Sequence, residues 1–279
     1  MVRSIRPRQM RWKEACRRDI PSTREWSDFL ITNRTAVYDK NAELYKHEES
    51  PFHKIANPAI YNILKKYNAK TVLDLTCGTG NQVFWLAKRG YKVVGADLSA
   101  NSIRVARQLA KERKVRIRFL HGDMRNIKVG KFDAVITMFN AVGHLTKPGF
   151  ERAMRNICGN LNDRGVYIFD IINTKSAGLN HDVDKTTELN GVMVHNIQLC
   201  RIDVKTGIMS VDEAFCRWKN HSDLEVGKRV RWTMQTYTAK WLREMLSKNG
   251  FEVVGQYALS GSRFSDTRSK SILTVAQKI

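Results

Sequence analysis

The stretch VLDLTCGTG, residues 72–80, decides the fold of this chain. Its apolar start is typical of a buried parallel strand, and residues 81–88 are typical of the helix that follows such a strand. The glycine loop between them therefore lies at the carboxyl end of a strand, where open α/β sheets bind their ligands. Gly78 and Gly80 lack a Cβ atom, so the loop can turn sharply and approach a ligand closely. Asp74 is placed to accept hydrogen bonds from a cationic or hydroxylated group.

A second strand-like run, residues 91–97, ends in Asp97, about 20 residues after the glycine loop. In nucleotide-binding α/β units, an acid at this distance accepts hydrogen bonds from both ribose hydroxyls. A dinucleotide fold would also require a third glycine in the pattern Gly-x-Gly-x-x-Gly. Val83 stands at that position and leaves no room for a pyrophosphate. NAD is therefore disfavoured as the ligand.

Two further motifs complete the pattern, FLHGDMR at residues 119–125 and FDAVITMFN at residues 132–140. In the content and order of its motifs, the chain resembles the class I S-adenosylmethionine (SAM) dependent methyltransferases over residues 36–173. The resemblance implies SAM as the cofactor and an α/β fold, with a doubly wound, mostly parallel, seven-stranded Rossmann-like sheet. Within that family, three stretches resemble the nucleotide-linked amino-sugar N-methyltransferases: residues 36–45, 121–125 and 138–145.

The resemblance also implies which residues contact the cofactor. The loop that contains Asp74 would meet the methionine part of SAM, Asp97 the ribose, and Asp123 with its neighbour Met124 the adenine. Thr76 stands where the family usually has another glycine, and we expect it to narrow the loop without displacing Asp74. The predicted cofactor-binding residues are Asp74, Thr76, Cys77, Gly78, Gly80, Asp97, Leu98, Asp123, Met124, Met138 and Phe139.

Two residues are predicted to act on the methyl acceptor. His144 follows the fourth strand, and its imidazole can accept or relay the proton that an amine must lose; alternatively, His144 only caps the next helix. By the resemblance, Tyr38 lies on a short lid helix, residues 35–45, and reaches the reacting groups; alternatively, Tyr38 and Tyr45 only pack. Methyl transfer from a sulfonium requires alignment and exclusion of water, and no residue is predicted to bind a metal.

Four segments are predicted along the chain. Residues 1–50 form a basic helical extension and lid, and residues 51–173 form the SAM-binding core. Residues 174–236 form an antiparallel β insertion, and residues 237–279 a final helix with the closing strands of the core. Apolar alternation and hairpin turns at Asn190-Gly191 and Thr206-Gly207 indicate three or four strands in the insertion. Such a sheet would form a wall over the ligand edge and close a pocket.

Some boundaries within the core also follow from local signals. A helix is expected to start near Pro58 and to run to Lys66. Ser99 is expected to cap the helix after the second strand, because a serine side chain accepts hydrogen bonds from free backbone N–H groups. The third strand is expected from Val115 to Leu120. Asp170, at the end of a later strand, is expected to be structural rather than catalytic.

The amino-acid composition limits the classes of protein to which the chain can belong. The 279 residues are 42% hydrophobic and 27% charged, as in ordinary globular proteins. No apolar run approaches the roughly 18 residues of a membrane helix, so no membrane association and a cytoplasmic location are expected. The five cysteines are an odd number without C-x-x-C spacing, and they are predicted to be free thiols rather than disulfide or zinc ligands.

The net charge of +21 is the least ordinary feature of the sequence. Such an excess could attract RNA, anionic lipid or a phosphate-bearing small substrate. Alternatively, most of these charges lie on solvated helix faces, as expected for Arg104, Arg107, Lys111, Arg113 and Lys114. A homodimer is also compatible with the sequence.

Three classes of function remain open. A SAM-dependent methyltransferase acting on a small-molecule amine nitrogen is favoured by the predicted wall, whereas an RNA or protein methyltransferase is favoured by the charge. A catalytically silent SAM-binding scaffold would require altered binding residues, and these residues are intact. The Asn/Asp-Pro-Pro-aromatic motif of amino methyltransferases that act on nucleobases is absent where residues 139–142 read FNAV, which weakens the base-methylating alternative.

Overall fold

The computed structural model describes Asp39, Ala42 and residues 50–176, 180–189, 192–219, 223–226 and 230–279. The predictions for residues 1–33, for Tyr38 and Tyr45, and for the Asn190-Gly191 turn lie outside the described residues. The chain divides into two compact units. Described residues of the larger unit lie within 33–179, 202–209 and 233–279, and those of the smaller unit within 180–201 and 210–232.

Helices and strands alternate along the first part of the chain, and strands dominate after residue 160. In chain order the elements are α1 (Pro51–Lys66), β1 (Thr71–Asp74), α2 (Asn81–Ala87), β2 (Lys92–Asp97), α3 (Ala100–Glu112), β3 (Arg118–His121), β4 (Phe132–Thr137), a 3-10 helix (Ala141–His144), α4 (Lys147–Asn160), β5 (Leu161–Ile172), β6 (Asn180–Leu189), β7 (Val192–Asp203), β8 (Ile208–Lys219), β9 (Asp223–Val226), β10 (Val230–Gln235), α5 (Ala239–Lys248), β11 (Phe251–Tyr257) and β12 (Ser271–Lys278).

The main sheet has seven strands in the order β11-β12-β5-β4-β1-β2-β3. Strands β1 to β5 pair in parallel, and β12 is antiparallel to both β5 and β11. Because β1 to β4 run parallel to one another, their carboxyl ends face the same edge of the sheet. The predicted doubly wound, mostly parallel, seven-stranded sheet is confirmed.

Both faces of this sheet are buried. Neighbouring residues of a strand point to opposite faces, and accordingly Val72 packs in one hydrophobic cluster and Leu73 in the other. The first cluster contains residues of α1, α2 and α3, and the second contains residues of α4 and α5. Central strands that are covered on both faces consist of continuous apolar runs, and for this reason the sequence around residues 72–75 predicts a buried parallel strand.

Two predicted boundaries in the core are wrong. Helix α1 starts at Pro51 rather than near Pro58. Ser50 is its N-cap residue, and proline is favoured in the first turn because a backbone N–H there would have no acceptor within the helix. Strand β3 starts at Arg118 rather than at Val115, because the Val115 N–H donates to the Ala110 carbonyl at 3.0 Å and extends the end of α3. The predicted cap of α3 is confirmed, since the Ser99 hydroxyl accepts from the Ser102 N–H at 3.0 Å.

A second, antiparallel sheet is formed by β6 to β10 in the order β10-β8-β7-β6, with β9 paired to β8. The predicted antiparallel insertion is confirmed, although it has five strands among the described residues instead of three or four. At the predicted Thr206-Gly207 turn, the Gly207 N–H donates to the Asp203 carbonyl at 2.7 Å and Gly207 has a φ of +72°. The segment boundaries and the role of this sheet as a wall stay predictions.

The cysteine prediction is correct at three positions and wrong at one. Cys77, Cys158 and Cys200 form no disulfide bond, whereas Cys216 in β8 is disulfide-bonded. Spacing along the chain does not reveal which sulfurs meet in space, and this is why the sequence pattern missed the bond. None of the helices within the described ranges combines the length and apolar character that a membrane crossing requires.

Candidate cofactor and active site

The predicted cofactor residues follow the carboxyl ends of four parallel strands. Asp74 ends β1, Asp97 ends β2, Asp123 follows β3, and Met138 with Phe139 follows β4. Hydrogen bonds join the first three of these strand ends. The carboxylate of Asp97 accepts from the Gly78 N–H at 2.8 Å, and the backbone carbonyl of Asp97 accepts from the Gly122 N–H at 2.9 Å. Tertiary structure therefore assembles the predicted loops at one edge of the sheet.

The glycine loop turns at two left-handed residues. Gly78 has a φ of +52° and Gly80 a φ of +91°, and the Gly80 N–H donates to the Cys77 carbonyl at 2.8 Å. A Cβ atom on Gly80 would lie 2.9 Å from the Phe84 ring, whereas a Cβ on Gly78 would have no atom of the described residues within 4 Å. Gly80 is thus needed for packing of α2, and Gly78 leaves room in front of the loop. The nearby Thr76 hydroxyl is buried and has no hydrogen-bond partner in the described part of the chain.

Two buried carboxylates lie beside this loop. Asp74 is 2% exposed and accepts from the Thr76 N–H at 3.1 Å; burial and the charge of Asp97 raise its pKa to about 7. Burial also raises the pKa of Asp97, although the N–H groups of Ser99 and Gly78, each at 2.8 Å, oppose the shift. Raised carboxyl pKa values mean that the negative charges are poorly compensated, so a cationic ligand would be stabilised here.

Cys77 and Met138 have little access to the site. Cys77 is buried, and burial together with the charges of Asp74 and Asp97 raises the pKa of its thiol far above the ordinary value. Met138 is also buried and packs in the cluster that contains residues of α1 to α3. Both residues support the loops from the core side, and their predicted cofactor contacts stay predictions.

Leu98 and Asp123 present an apolar and an acidic side chain at the neighbouring strand ends. Leu98, directly after β2, is 44% exposed. Burial disfavours the charged form of Asp123, but hydrogen bonds from Arg125 and its charge outweigh burial and lower the Asp123 pKa. The Arg125 Nε atom lies 2.8 Å from Asp123 Oδ2. Sequence reasoning missed Arg125, although its position two residues after Asp123 allows this contact.

The turn after β4 has two consecutive left-handed residues that are not glycine. Phe139 has a φ of +63° and Asn140 a φ of +61°, and such residues are costly unless their surroundings hold them. The carboxylate of Asp170 supplies the support, accepting from the Phe139 N–H at 2.5 Å and from the Asn140 N–H. Asp170 is 1% exposed, and burial raises its pKa to about 6. The ring centroids of His53 and Phe139 lie 4.4 Å apart.

His144 is exposed at the end of the 3-10 helix that follows this turn. The alternative role of His144 as a cap for α4 is wrong. The N-cap residue is Thr146, whose hydroxyl accepts from the Gly149 N–H at 3.2 Å. The predicted role of the His144 imidazole toward the proton of the acceptor stays a prediction. Tyr38 lies outside the described residues.

Asp39 is a further residue near the strand ends that sequence reasoning did not single out. Its carboxylate accepts from the Ser99 hydroxyl at 2.7 Å and from the Asn101 N–H at 3.0 Å. These contacts, of which the Ser99 hydrogen bond is the strongest cause, lower the Asp39 pKa. A carboxylate is favourable at this position because the N-terminus of α3 carries a partial positive charge. Asp39 therefore ties a distant part of the chain to the residues that follow Asp97.

Comparison with known proteins agrees with this geometry. Residues 72–165 match the sequence profile of a family described as methyltransferase domain. A putative methyltransferase from a Geobacillus strain is 31% identical over 136 residues, covering 44% of this chain and 55% of the relative. A glycine/sarcosine N-methyltransferase from Parasynechococcus marenigrum is 29% identical over 203 residues, covering 70% of this chain and 67% of the relative. The chain thus spans between about half and two thirds of these relatives.

An amino-sugar enzyme is among the relatives. The dTDP-3-amino-3,6-dideoxy-alpha-D-glucopyranose N,N-dimethyltransferase from Streptomyces fradiae is 38% identical over 78 residues, which cover 28% of this chain and 29% of the relative. The match therefore supports the predicted resemblance over a limited stretch.

Solved structures share the fold over most of the chain. An S-adenosylmethionine-dependent methyltransferase from Clostridium acetobutylicum has a TM-score of 0.71 at 17% identity, covering 87% of this chain and 99% of that one. The sugar N-methyltransferase KedS8 from a Streptoalloteichus species has a TM-score of 0.68 at 20% identity, covering 93% and 98%. The predicted class I methyltransferase fold is confirmed.

Proposed function

We propose that this chain, which carries a methyltransferase domain of the class I, SAM-dependent type, transfers a methyl group from SAM to an amine nitrogen of a small molecule. The observation that carries the proposal is the pair of buried, poorly compensated carboxylates of Asp74 and Asp97 beside the open side of Gly78. This arrangement favours a ligand that brings positive charge and hydroxyl groups to the ends of β1 and β2.

SAM fits these residues. Asp74 would hold the cationic amino group of its methionine part, and the carboxylate oxygens of Asp97 would accept from its ribose hydroxyls. The exposed side chain of Leu98 after β2 offers an apolar surface for the adenine, and the carboxylate of Asp123 follows the neighbouring strand β3. The Thr76 hydroxyl, which has no hydrogen-bond partner among the described residues, offers one more polar contact. When bound, SAM supplies an electrophilic methyl group on a positively charged sulfur.

The described residues can align an acceptor at this edge without forming a covalent bond to it. Alignment of two reactants can lower the reaction barrier by up to about 7–11 kcal/mol. Asp170 holds the left-handed turn at Phe139 and Asn140, so this part of the site is ordered before any ligand binds. The short 3-10 helix then places His144 one turn further along the same connection.

A proton must leave the amine before its lone pair can attack. The exposed imidazole of His144 can take up this proton and pass it to solvent, because imidazole changes protonation near neutral pH. An amine with a pKa near 8 is already partly neutral at cellular pH, so a strong base is unnecessary. We propose Tyr38 as a second residue that contacts the acceptor, on the amino-sugar methyltransferase resemblance.

The names of the relatives favour an amine acceptor. Two glycine/sarcosine N-methyltransferases match 70% and 77% of this chain, and the shorter Streptomyces match is an amino-sugar N,N-dimethyltransferase. These enzymes share a small acceptor with an amine nitrogen, as their names state. We therefore place a small amine, with or without an attached phosphate group, ahead of RNA or protein as the acceptor.

The test uses methyl-labelled SAM and three acceptor pools. The full chain is incubated with a small-molecule extract, with RNA and with protein, and then with glycine, sarcosine and a nucleotide-linked amino sugar. We expect label in the small-molecule pool, on an amine nitrogen identified by mass spectrometry. Label that enters only RNA or protein would replace the proposed acceptor, and SAM binding without any transfer would indicate a silent scaffold.

A further inference from the structure

A cavity lies at the edge of the main sheet opposite to the candidate active site. It has a volume of about 850 Å³, within the range of roughly 300–1,000 Å³ that is usual for small-molecule sites. Its lining includes Thr71, Lys92, Arg118 and Phe132, which are the first residues of β1, β2, β3 and β4. The cavity therefore opens at the amino ends of the strands, whereas the candidate active site lies at their carboxyl ends.

The charged residues of this cavity all have the same sign. Five exposed basic side chains belong to its lining: Lys88, Lys92, Arg113, Arg116 and Arg118. No Asp or Glu is among the described residues that line it. None of the five forms an ion pair within the part of the chain that the structure describes, and the Arg113 guanidinium lies 4.3 Å from the centroid of the Phe84 ring. We call this feature, defined by these five residues, the cationic groove.

The remaining lining is mainly apolar and aromatic. Phe84 and Phe132 are buried, whereas Tyr91 and Ile117 are partly exposed. Burial and the neighbouring Tyr61 raise the pKa of Tyr91, so its phenol is neutral. An apolar hollow with a cationic rim suits a ligand that joins a flat ring to a phosphate. A membrane surface would offer lipid phosphates but no ring to enter the hollow.

We propose that the cationic groove binds nucleoside phosphates, either as nucleotides within single-stranded RNA or as free nucleotides. Lysine and arginine contacts to phosphates release counterions, and aromatic or apolar walls accept bases without sequence preference. The groove is independent of the proposed methyl transfer, because its residues take no part in the candidate active site. The five basic residues of the groove also account for part of the net charge of +21.

The experiment compares two double variants that each lose two exposed lysine charges. Lys88→Gln with Lys92→Gln changes the groove, and Lys240→Gln with Lys248→Gln changes helix α5 outside it. Binding of a fluorescent uridine oligoribonucleotide is measured from 50 to 300 mM salt, with excess S-adenosylhomocysteine present to fill the cofactor site. We expect the groove variant to reduce the slope of log K against log salt by about 1.4, at about 0.7 per contact. The control variant should keep the wild-type slope.

Competition then identifies the source of the nucleoside phosphate. Binding of the oligoribonucleotide with the expected slope change assigns RNA to the groove. Direct binding of UTP that is lost in the groove variant, without RNA binding, assigns free nucleotides. Tripolyphosphate that competes as well as UTP would show that the ring is not recognised, which overturns the proposal. Equal losses in both double variants, or no binding of either probe, would overturn it as well.

Discussion

Asp97 receives hydrogen bonds on both carboxylate oxygens, and burial still raises its pKa. At the residue scale, this makes Asp97 the most direct test of cofactor binding. Asp97→Ala should weaken SAM binding by about 1–3 kcal/mol, because the partners of a charged hydrogen bond are lost. Wild-type binding in the micromolar range corresponds to about 8 kcal/mol and is measurable by calorimetry.

Asp163 provides the matched control for this variant. It is an aspartate of the same unit whose side chain is 98% exposed, and its contact with Lys278 lies on the surface. Asp163→Ala should leave SAM affinity unchanged. Equal affinities of the two variants and the wild type would remove Asp97 from the cofactor site.

Asp74 carries a prediction about pH and stability. Its pKa rises from an ordinary 3.8 to about 7 on folding, so the folded state holds a proton that the unfolded chain has released. The associated stability is complete below about pH 4 and is lost as pH rises through about 7. Asp74→Asn removes this pH-dependent loss of stability, and its side-chain carbonyl oxygen can still accept a hydrogen bond from the Thr76 N–H. Without cofactor, the variant should therefore unfold at higher urea concentration than wild type at pH 8.

The expected gain for Asp74→Asn at pH 8 is on the order of 2–4 kcal/mol, and it should disappear near pH 4. Chemical denaturation at several pH values measures this gain in unfolding free energy, and Asp163→Asn serves as the control. A constant difference between Asp74→Asn and wild type across this range would mean that Asp74 is ionised throughout.

His144 and Thr146 separate chemistry from helix capping. His144→Ala should lower turnover by about 100-fold or more if the imidazole takes the acceptor's proton. The loss should shrink at alkaline pH, because more of the amine is already neutral. Thr146→Ala should instead cost about 1 kcal/mol of stability through loss of the α4 cap, with turnover retained. Steady-state kinetics and urea unfolding distinguish these effects, and normal turnover of His144→Ala at neutral pH would exclude the proton role.

At the scale of elements, the connection from β4 to α4 shapes the candidate site. Asp170 in β5 holds its left-handed turn, and Gly143 lets the 3-10 helix pack closely. A Cβ on Gly143 would lie 2.9 Å from the Gln235 carbonyl oxygen and 3.0 Å from Ile171 Cδ1. A backbone oxygen cannot move away at low cost, so the helix that carries His144 would have to shift.

Gly143→Ala should therefore destabilise the chain by about 1–3 kcal/mol through overpacking. Gly159→Ala is the matched control within α4, because a Cβ there meets only the flexible end of Lys128, at 3.1 Å. It should be neutral or stabilise by up to about 1 kcal/mol through better helix propensity. Urea unfolding checks both, and equal effects of the two substitutions would contradict the close packing at Gly143.

At the scale of the whole molecule, cofactor binding should stabilise the unit that contains the site. All described residues proposed to contact SAM belong to the larger unit. SAM at 100 times its dissociation constant should add about 2.7 kcal/mol to the unfolding free energy of that unit. Hydrogen exchange should slow at residues 74–80 and 97–99. Protection of the smaller unit alone would place the cofactor elsewhere.

The sequence alone determined the class of fold and the location of the candidate site. Apolar runs that end in Asp74 and Asp97, followed by a glycine loop and helices, specify parallel strands whose carboxyl ends carry the polar residues. This information is local, because strand ends, caps and glycine turns depend on neighbouring residues. The cap at Ser99 and the turn at Gly207 were predictable for the same reason.

Tertiary structure decided which distant groups meet. Asp39 binds Ser99 across 60 residues, and Asp170 holds Phe139 across 31 residues. No periodicity or spacing connects such pairs, because their contact depends on how the helices and strands pack. The disulfide bond of Cys216 and the gathering of five basic residues in the cationic groove belong to the same class. Local patterns thus determine where strands end, whereas packing determines which side chains those ends bring together.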